Sequence, residues 1–365
     1  MPNIMKLSIP DYIADLTPYV PGKPVEEVER EYGIRRSVKL ASNENPLGPS
    51  PKAVAAIGQA LDRLNRYPDG GAYELVGRLA AKLGLERQNI ILGNGSDEII
   101  GMLTRAFLRP GDEALLHRPA FLMYEILARS CGAVIRHVPL RGMEIDLQAM
   151  AEAITPRTRL VFITNPNNPT GAIISAQAFE RFWQRVPPHV VVVLDEAYIE
   201  FVRDRACAVG VDFFSEDRPL VALRTFSKAY GLAGLRIGYG IMPAALSDLL
   251  QRIRQPFNTN SLAQIGALAA LEDIDFLKNT VQTVHGGMDY LQSRLADMGV
   301  RCFASQANFF LVDVGRDADR VFEDLMKQGV IVRSMTSYGF AKCIRVNVGR
   351  PEENDRLLEA LQRVL

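Results

Sequence analysis

Along this chain the spacing of apolar positions changes character twice, and the changes divide it into three regions. Residues 1–40 carry prolines at 2, 10, 18, 21 and 24 and one short helical pattern over 25–32, which predicts an extended arm with a single helix. From 41 to 260, helical stretches alternate with brief apolar runs. Helices are predicted over 52–64, with Val54, Ile57 and Leu61 sharing a face, and over 73–83. Strands are predicted at 90–92, 113–116, 134–138, 160–164, 190–194, 220–223 and 236–241, each short, apolar and in part β-branched. After the first strand, Ile99, Ile100, Leu103 and Phe107 recur at helical spacing, with Ser96 or Asp97 as the expected N-cap. Strands alternating with helices predict a large α/β domain, a mostly parallel sheet sandwiched by helices. From 261 to 365, helices at 261–271 and 275–298 precede short strands near 309–314, 330–333 and 344–348 and a last helix over 352–364, a smaller α+β domain.

Composition narrows the function classes. The chain has 365 residues, long enough for two domains and a large core. Lys+Arg and Asp+Glu both number 42, so the net charge is zero, and no basic footprint for nucleic acid or an acidic membrane surface is present. No apolar run approaches the roughly 20 residues that span a bilayer, and the first 15 residues lack the apolar core of a secretory signal. Four widely separated cysteines without a C-x-x-C pair suit a reduced, cytoplasmic protein. His117, His137, His189 and His285 show no metal-ligand spacing.

The chemistry gathers at strand ends. In parallel sheets ligands sit beyond the carboxyl ends of the strands. The strand at 160–164 leads to Asn165-Pro166-Asn167-Asn168-Pro169-Thr170-Gly171. A four-valine strand delivers Asp195-Glu196-Ala197-Tyr198, whose buried acid needs a partner. The strand at 220–223 delivers Thr225, Ser227 and Lys228, and Arg236 follows. A lysine beyond a buried strand, among hydroxyls and small residues, can act as a Schiff-base amine. Gly93-Asn94-Gly95-Ser96-Asp97 brings backbone close to a ligand at a helix N-terminus, which favours an anion. It is no dinucleotide fingerprint, because Glu98 occupies the place of the third glycine. Taken alone it is an ordinary capped turn.

Together these residues resemble the pyridoxal-phosphate-dependent aminotransferases of the aspartate-aminotransferase fold type, and among them the histidinol-phosphate aminotransferases. The similarity runs nearly end to end: Leu16-Thr17-Pro18-Tyr19, Asn43-Glu44-Asn45-Pro46-Leu47-Gly48, Arg66-Tyr67-Pro68, Gly93–Glu98, Asn167–Gly171, Asp195–Tyr198, Ser227-Lys228 with Gly234-Leu235-Arg236, Ile331-Val332-Arg333 and Ile344–Gly349. The resemblance implies that Lys228 bonds the cofactor aldehyde and then shuttles a proton. Asp195 would keep the pyridine nitrogen protonated, and Asn168 and Tyr198 would bond the ring's phenolic oxygen. The cofactor phosphate would rest on Gly95, Ser96 and Asp97 with Thr225, Ser227 and Arg236, and Phe121 would face the ring. The arm would fold onto the small domain, leaving the cofactor between domains.

The resemblance also implies a homodimer in which Tyr67 reaches the neighbouring subunit's cofactor phosphate. Arg345, with Arg333, Tyr19 and Asn43, would bind the substrate. The implied amine is histidinol phosphate, with 2-oxoglutarate as acceptor and glutamate as product. A decarboxylase of the threonine-phosphate type and a broad-specificity or aromatic aminotransferase share several of these motifs. A non-catalytic relative would be expected to lack Lys228.

Overall fold

The computed structural model describes residues 8–19 and 22–365. Its largest element is a seven-stranded sheet, ordered Ile90–Gly93, Gly238–Ile241, Leu220–Thr225, Val191–Asp195, Thr158–Thr164, Glu113–Arg118 and Val134–Pro139. Gly238–Ile241 is antiparallel to both neighbours, and the other pairings are parallel. The two-residue alternation of strands shows in the packing. Leu116, Phe162 and Val193 meet Ile99, Leu103 and Tyr124 on one face. Leu115, Val161 and Val192 meet Phe179, Phe182 and Trp183 on the other. With helices on both sides, Val191–Asp195 is buried throughout, which explains its unbroken apolar run.

The smaller domain holds a four-stranded antiparallel sheet, ordered Arg333–Ser334, Cys343–Asn347, Phe309–Asp313 and Arg301–Cys302. It is seated over the carboxyl ends of the large sheet: Tyr198, Phe201 and Ala229 share one core with Phe309, Val346 and Leu357. The arm ties in through Val38–Lys39, parallel to Val330–Ile331, and through Val28, which packs with Met326 and Ile331. Asp11–Ala14 lies instead against Leu122–Ser130 of the large domain. The arm therefore touches both domains.

Four local expectations are corrected. The helix expected over 52–64 is Pro51–Gly58, followed by a separate 3-10 turn at Leu61–Arg63. Val54 and Leu61 are each 52% exposed, and the inward side is Ala53 and Ile57, packed closely on Ser261–Leu271 where Gly266 leaves room: a Cβ there would lie 2.9 Å from Ile57 Cδ1. The strand expected from 236 begins at Gly238, because Arg236 has φ 55, a left-handed conformation that no strand accommodates. The run at 330–333 changes partner at Val332, so Ile331 pairs with the arm and Arg333 with Arg345. The N-cap of Ser96–Phe107 is Gly95, neither Ser96 nor Asp97.

Candidate active site

A cavity of about 230 Å³ opens where three strands end, at Thr164, Asp195 and Thr225. Lys228 lies just past the last of these and also lines it. Arg333, Tyr338 and Arg345 of the small domain form the facing wall, with Tyr19, Ser42 and Asn43 from the arm and its continuation. Of the other expected residues, Ser96, Asp97, Phe121, Asn168, Tyr198, Ser227 and Arg236 line the same space. Gly95 stands directly behind Arg236. Tyr67 is apart from them, 82% exposed and stacked on Phe257 at 4.7 Å.

One end of the cavity is built for an anion. Gly95 caps Ser96–Phe107 with φ 79, and no side chain accepts from the helix's first turn. The missing side-chain cap leaves those backbone N–H groups to a ligand. Arg236 reaches the same end, 3.6 Å from the Asp97 carboxylate and 3.3 Å from Ser227 Oγ. A Cβ on Gly95 would lie 2.5 Å from Arg236 Nη2, and one on Gly238 2.6 Å from the Ser96 nitrogen. Glycine at both positions is what lets helix end and guanidinium come together. Backbone N–H groups, the hydroxyls of Ser96, Thr225 and Ser227, and one guanidinium make a donor set suited to a phosphate.

At the floor, Lys228 Nζ donates to the Ser42 carbonyl at 2.9 Å. Burial, reinforced by the Arg345 charge, pushes its pKa from 10.5 down to about 8, so a usable fraction is the nucleophilic free amine near neutral pH. Asp195 is only 5% exposed. Burial pushes its carboxyl up from 3.8 to about 6, against hydrogen bonds from Tyr124 Oη at 2.6 Å and Ala197 N at 3.1 Å. Both donors are neutral. A cationic nitrogen set opposite would favour the carboxylate form.

Sequence reasoning missed Tyr124. An ionised carboxylate only accepts, so the Tyr124 hydrogen goes to Asp195, and Thr164 Oγ1, 3.0 Å away, donates to Tyr124 in turn. The available signal was its place three residues after Phe121 at the start of a helix, a spacing that puts both on one side. Tyr338, in the turn between Arg333–Ser334 and Cys343–Asn347, was missed as well, since a turn tyrosine carries no local mark of what it faces.

The facing wall is strongly cationic. Arg345, 7% exposed, donates from Nη1 to Asn168 Oδ1 at 2.5 Å and from Nη2 to the Ala41 carbonyl at 2.9 Å, while its buried Nε has no partner among the described residues. Arg333 lies directly across the strand pair from it. Like charges in that relation repel, so an anion between them is favoured. Tyr198 Oη accepts from Asn43 Nδ2 at 3.0 Å, and burial holds its pKa near 12, keeping the phenol protonated as a donor. Phe121 meets Tyr124 edge to face at 5.5 Å on the remaining side.

The family model described as aminotransferase class I and II matches residues 35–361. A histidinol-phosphate aminotransferase of Desulfotalea psychrophila is 47% identical, over 99% of this chain and 96% of its own. Histidinol-phosphate aminotransferase 2 of Pseudomonas fluorescens is 49% identical, over 97% and 96%. Among solved structures, the histidinol-phosphate aminotransferase of Sinorhizobium meliloti in complex with pyridoxal-5'-phosphate superposes with a TM-score of 0.91 at 29% identity, covering 98% of this chain and 97% of that one.

Proposed function

We propose that this chain, which belongs to the class I and II aminotransferases, moves the amino group of L-histidinol phosphate to 2-oxoglutarate, giving imidazole-acetol phosphate and L-glutamate. Pyridoxal 5'-phosphate is its cofactor. The residues present fit it: a phosphate cradle at Gly95–Asp97 and Arg236, a lysine with a lowered pKa, and a buried acid bonded only by neutral donors. When bound, the cofactor supplies an amine-exchanging aldehyde and an electron-withdrawing ring that acidifies the substrate's Cα. Lys228 Nζ supplies the amine that holds the cofactor and later takes the proton from the substrate's Cα. Asp195 keeps a proton on the ring nitrogen, Tyr198 Oη and the Asn168 amide donate to the ring oxygen, and Phe121 covers one ring face. Tyr19 and the small domain shield the cavity from water.

One observation carries the substrate reading: the directly opposed Arg333 and Arg345, both lining the cavity. A phosphate has more charge and more acceptor oxygens than a carboxylate, so two guanidinium groups, with Tyr19 and Asn43 beside them, suit it better. The names of the relatives point the same way. Arg333→Ala should lower kcat/KM on histidinol phosphate about tenfold to a hundredfold, the worth of one charged hydrogen-bond partner. Dephosphorylated histidinol should lose little. Equal losses on the two amines would sink the reading.

The working unit is a homodimer in the cytoplasm. Exposed Val54, Leu61, Leu64 and Tyr67 support a covered face, and Tyr67 of the partner subunit would complete the phosphate cradle. The four unpaired cysteines suit a reducing compartment.

A further inference from the structure

We propose that His117 is a positioning residue: its imidazole grips the Pro119 carbonyl and thereby sets Phe121 against the cofactor ring. The inference rests on the ring-facing role of Phe121 given above. His117 lies near the end of Glu113–Arg118, and only Pro119 and Ala120 separate that strand from Phe121, the N-cap of Leu122–Ser130. It is 1% exposed, and its Nδ1 lies 2.9 Å from the Pro119 oxygen. A carbonyl only accepts, so Nδ1 carries the hydrogen. Burial pushes the imidazole down to about 4, so it is neutral and its Nε2 is an acceptor. That Nε2 is buried and has no hydrogen-bond partner among the described residues. His117 also lines a chamber of about 50 Å³, together with Phe121, Tyr338, Glu125 and His137. The last two are bonded to each other, His137 Nε2 lying 3.0 Å from the Glu125 carboxylate. Among the described residues, the Pro119 bond is then the one polar contact that fixes this ring. It spans the connection that aims Phe121 at the cavity.

The test titrates apo-protein with pyridoxal phosphate and reads the Kd and the visible circular dichroism per bound cofactor. In His117→Asn the side-chain amide replaces the Nδ1 donor, and the Kd should stay within about threefold of wild type. His117→Leu should bind about tenfold more weakly with a diminished dichroic band, and His117→Gln, whose amide sits at the Nε2 end, should behave like it. Because His117 acts through Phe121, the double variant with Phe121→Ala should bind within about twofold of Phe121→Ala alone. Multiplying losses, an asparagine variant as weak as leucine, or a leucine variant like wild type would overturn the proposal. If Phe121→Ala binds as tightly as wild type, the ring-facing role has itself failed, and the proposal falls with it.

Discussion

Two buried acids sit at opposite ends of the same sheet, and their surroundings differ completely. Glu113 begins its strand, is 0% exposed, and receives Arg157 through Nε at 3.1 Å and Nη2 at 2.8 Å, Thr155 at 2.6 Å, and Arg136 at 3.7 Å. Burial pushes its pKa up, but these hydrogen bonds and charges outweigh it and hold the group below the usual carboxylate range. Asp195 ends its strand with two neutral donors and stays raised, at about 6. An acid that serves the fold is paired within the chain. One left short of a cation, as Asp195 is, suits a ligand that brings the charge.

The largest effect should come from Lys228, whose amine shares the cavity with Asp195. Lys228→Ala should lower transamination by about a thousandfold or more, since both amine exchange and proton transfer use that group. Mixing it with an inactive Tyr67→Ala variant should restore activity, because each mixed dimer then holds one site with native Lys228 and the partner's native Tyr67. A silent mixture of confirmed mixed dimers would refute the shared cradle.

Removing the two acids should sharpen the contrast, with opposite signs. The folded pKa of Asp195 is raised from 3.8 to about 6, so its buried charge costs up to about 3 kcal/mol above pH 6, and the cost disappears as pH falls through that range. Asp195→Asn should therefore cut kcat about a hundredfold yet raise the denaturant midpoint of apo-protein at pH 7.5, less so at pH 4.5. Glu113→Gln should destabilise at pH 7.5, by about 1 kcal/mol, because the amide keeps no ion pair with the solvent-exposed Arg157 and Arg136. A lowered Glu113 pKa contributes stability above its unfolded value, so this loss shrinks as pH falls. Destabilisation by both variants at pH 7.5 would break the comparison.

The smallest effect concerns the donor chain. Tyr124→Phe removes the hydrogen bond that opposes burial at Asp195, so the pH below which apo-protein loses cofactor affinity should rise by about one. An unmoved pH profile would mean that Tyr124 merely fills space.

Much of the site was legible in the sequence because its residues hang on strand ends, and strands announce themselves locally. The run at 190–194 could only be a covered strand, so the acid that follows had to emerge at the sheet's carboxyl edge. Glu113 carried no such mark: its partners stand 23 and 44 residues away, at Arg136 and Arg157. Exposure on the 51–58 helix was misread for a related reason, since periodicity finds an apolar face without saying what covers it.

The sequence by itself determined the alternation of strands and helices, the glycines before the helix at 96–107, and the lysine, acid, amide and arginines that line the cavity. Those depend on backbone sterics and periodicity, which act over a few residues. Tertiary structure decided which polar groups meet: Tyr124 with Asp195, Asn168 with Arg345, Ser42 with Lys228, and Arg333 opposite Arg345. Their separations in sequence run from 12 to 186 residues, counting 345 − 333 and 228 − 42. Hydrogen bonds and charges act over a few ångströms, so only the folded chain could bring these partners within reach.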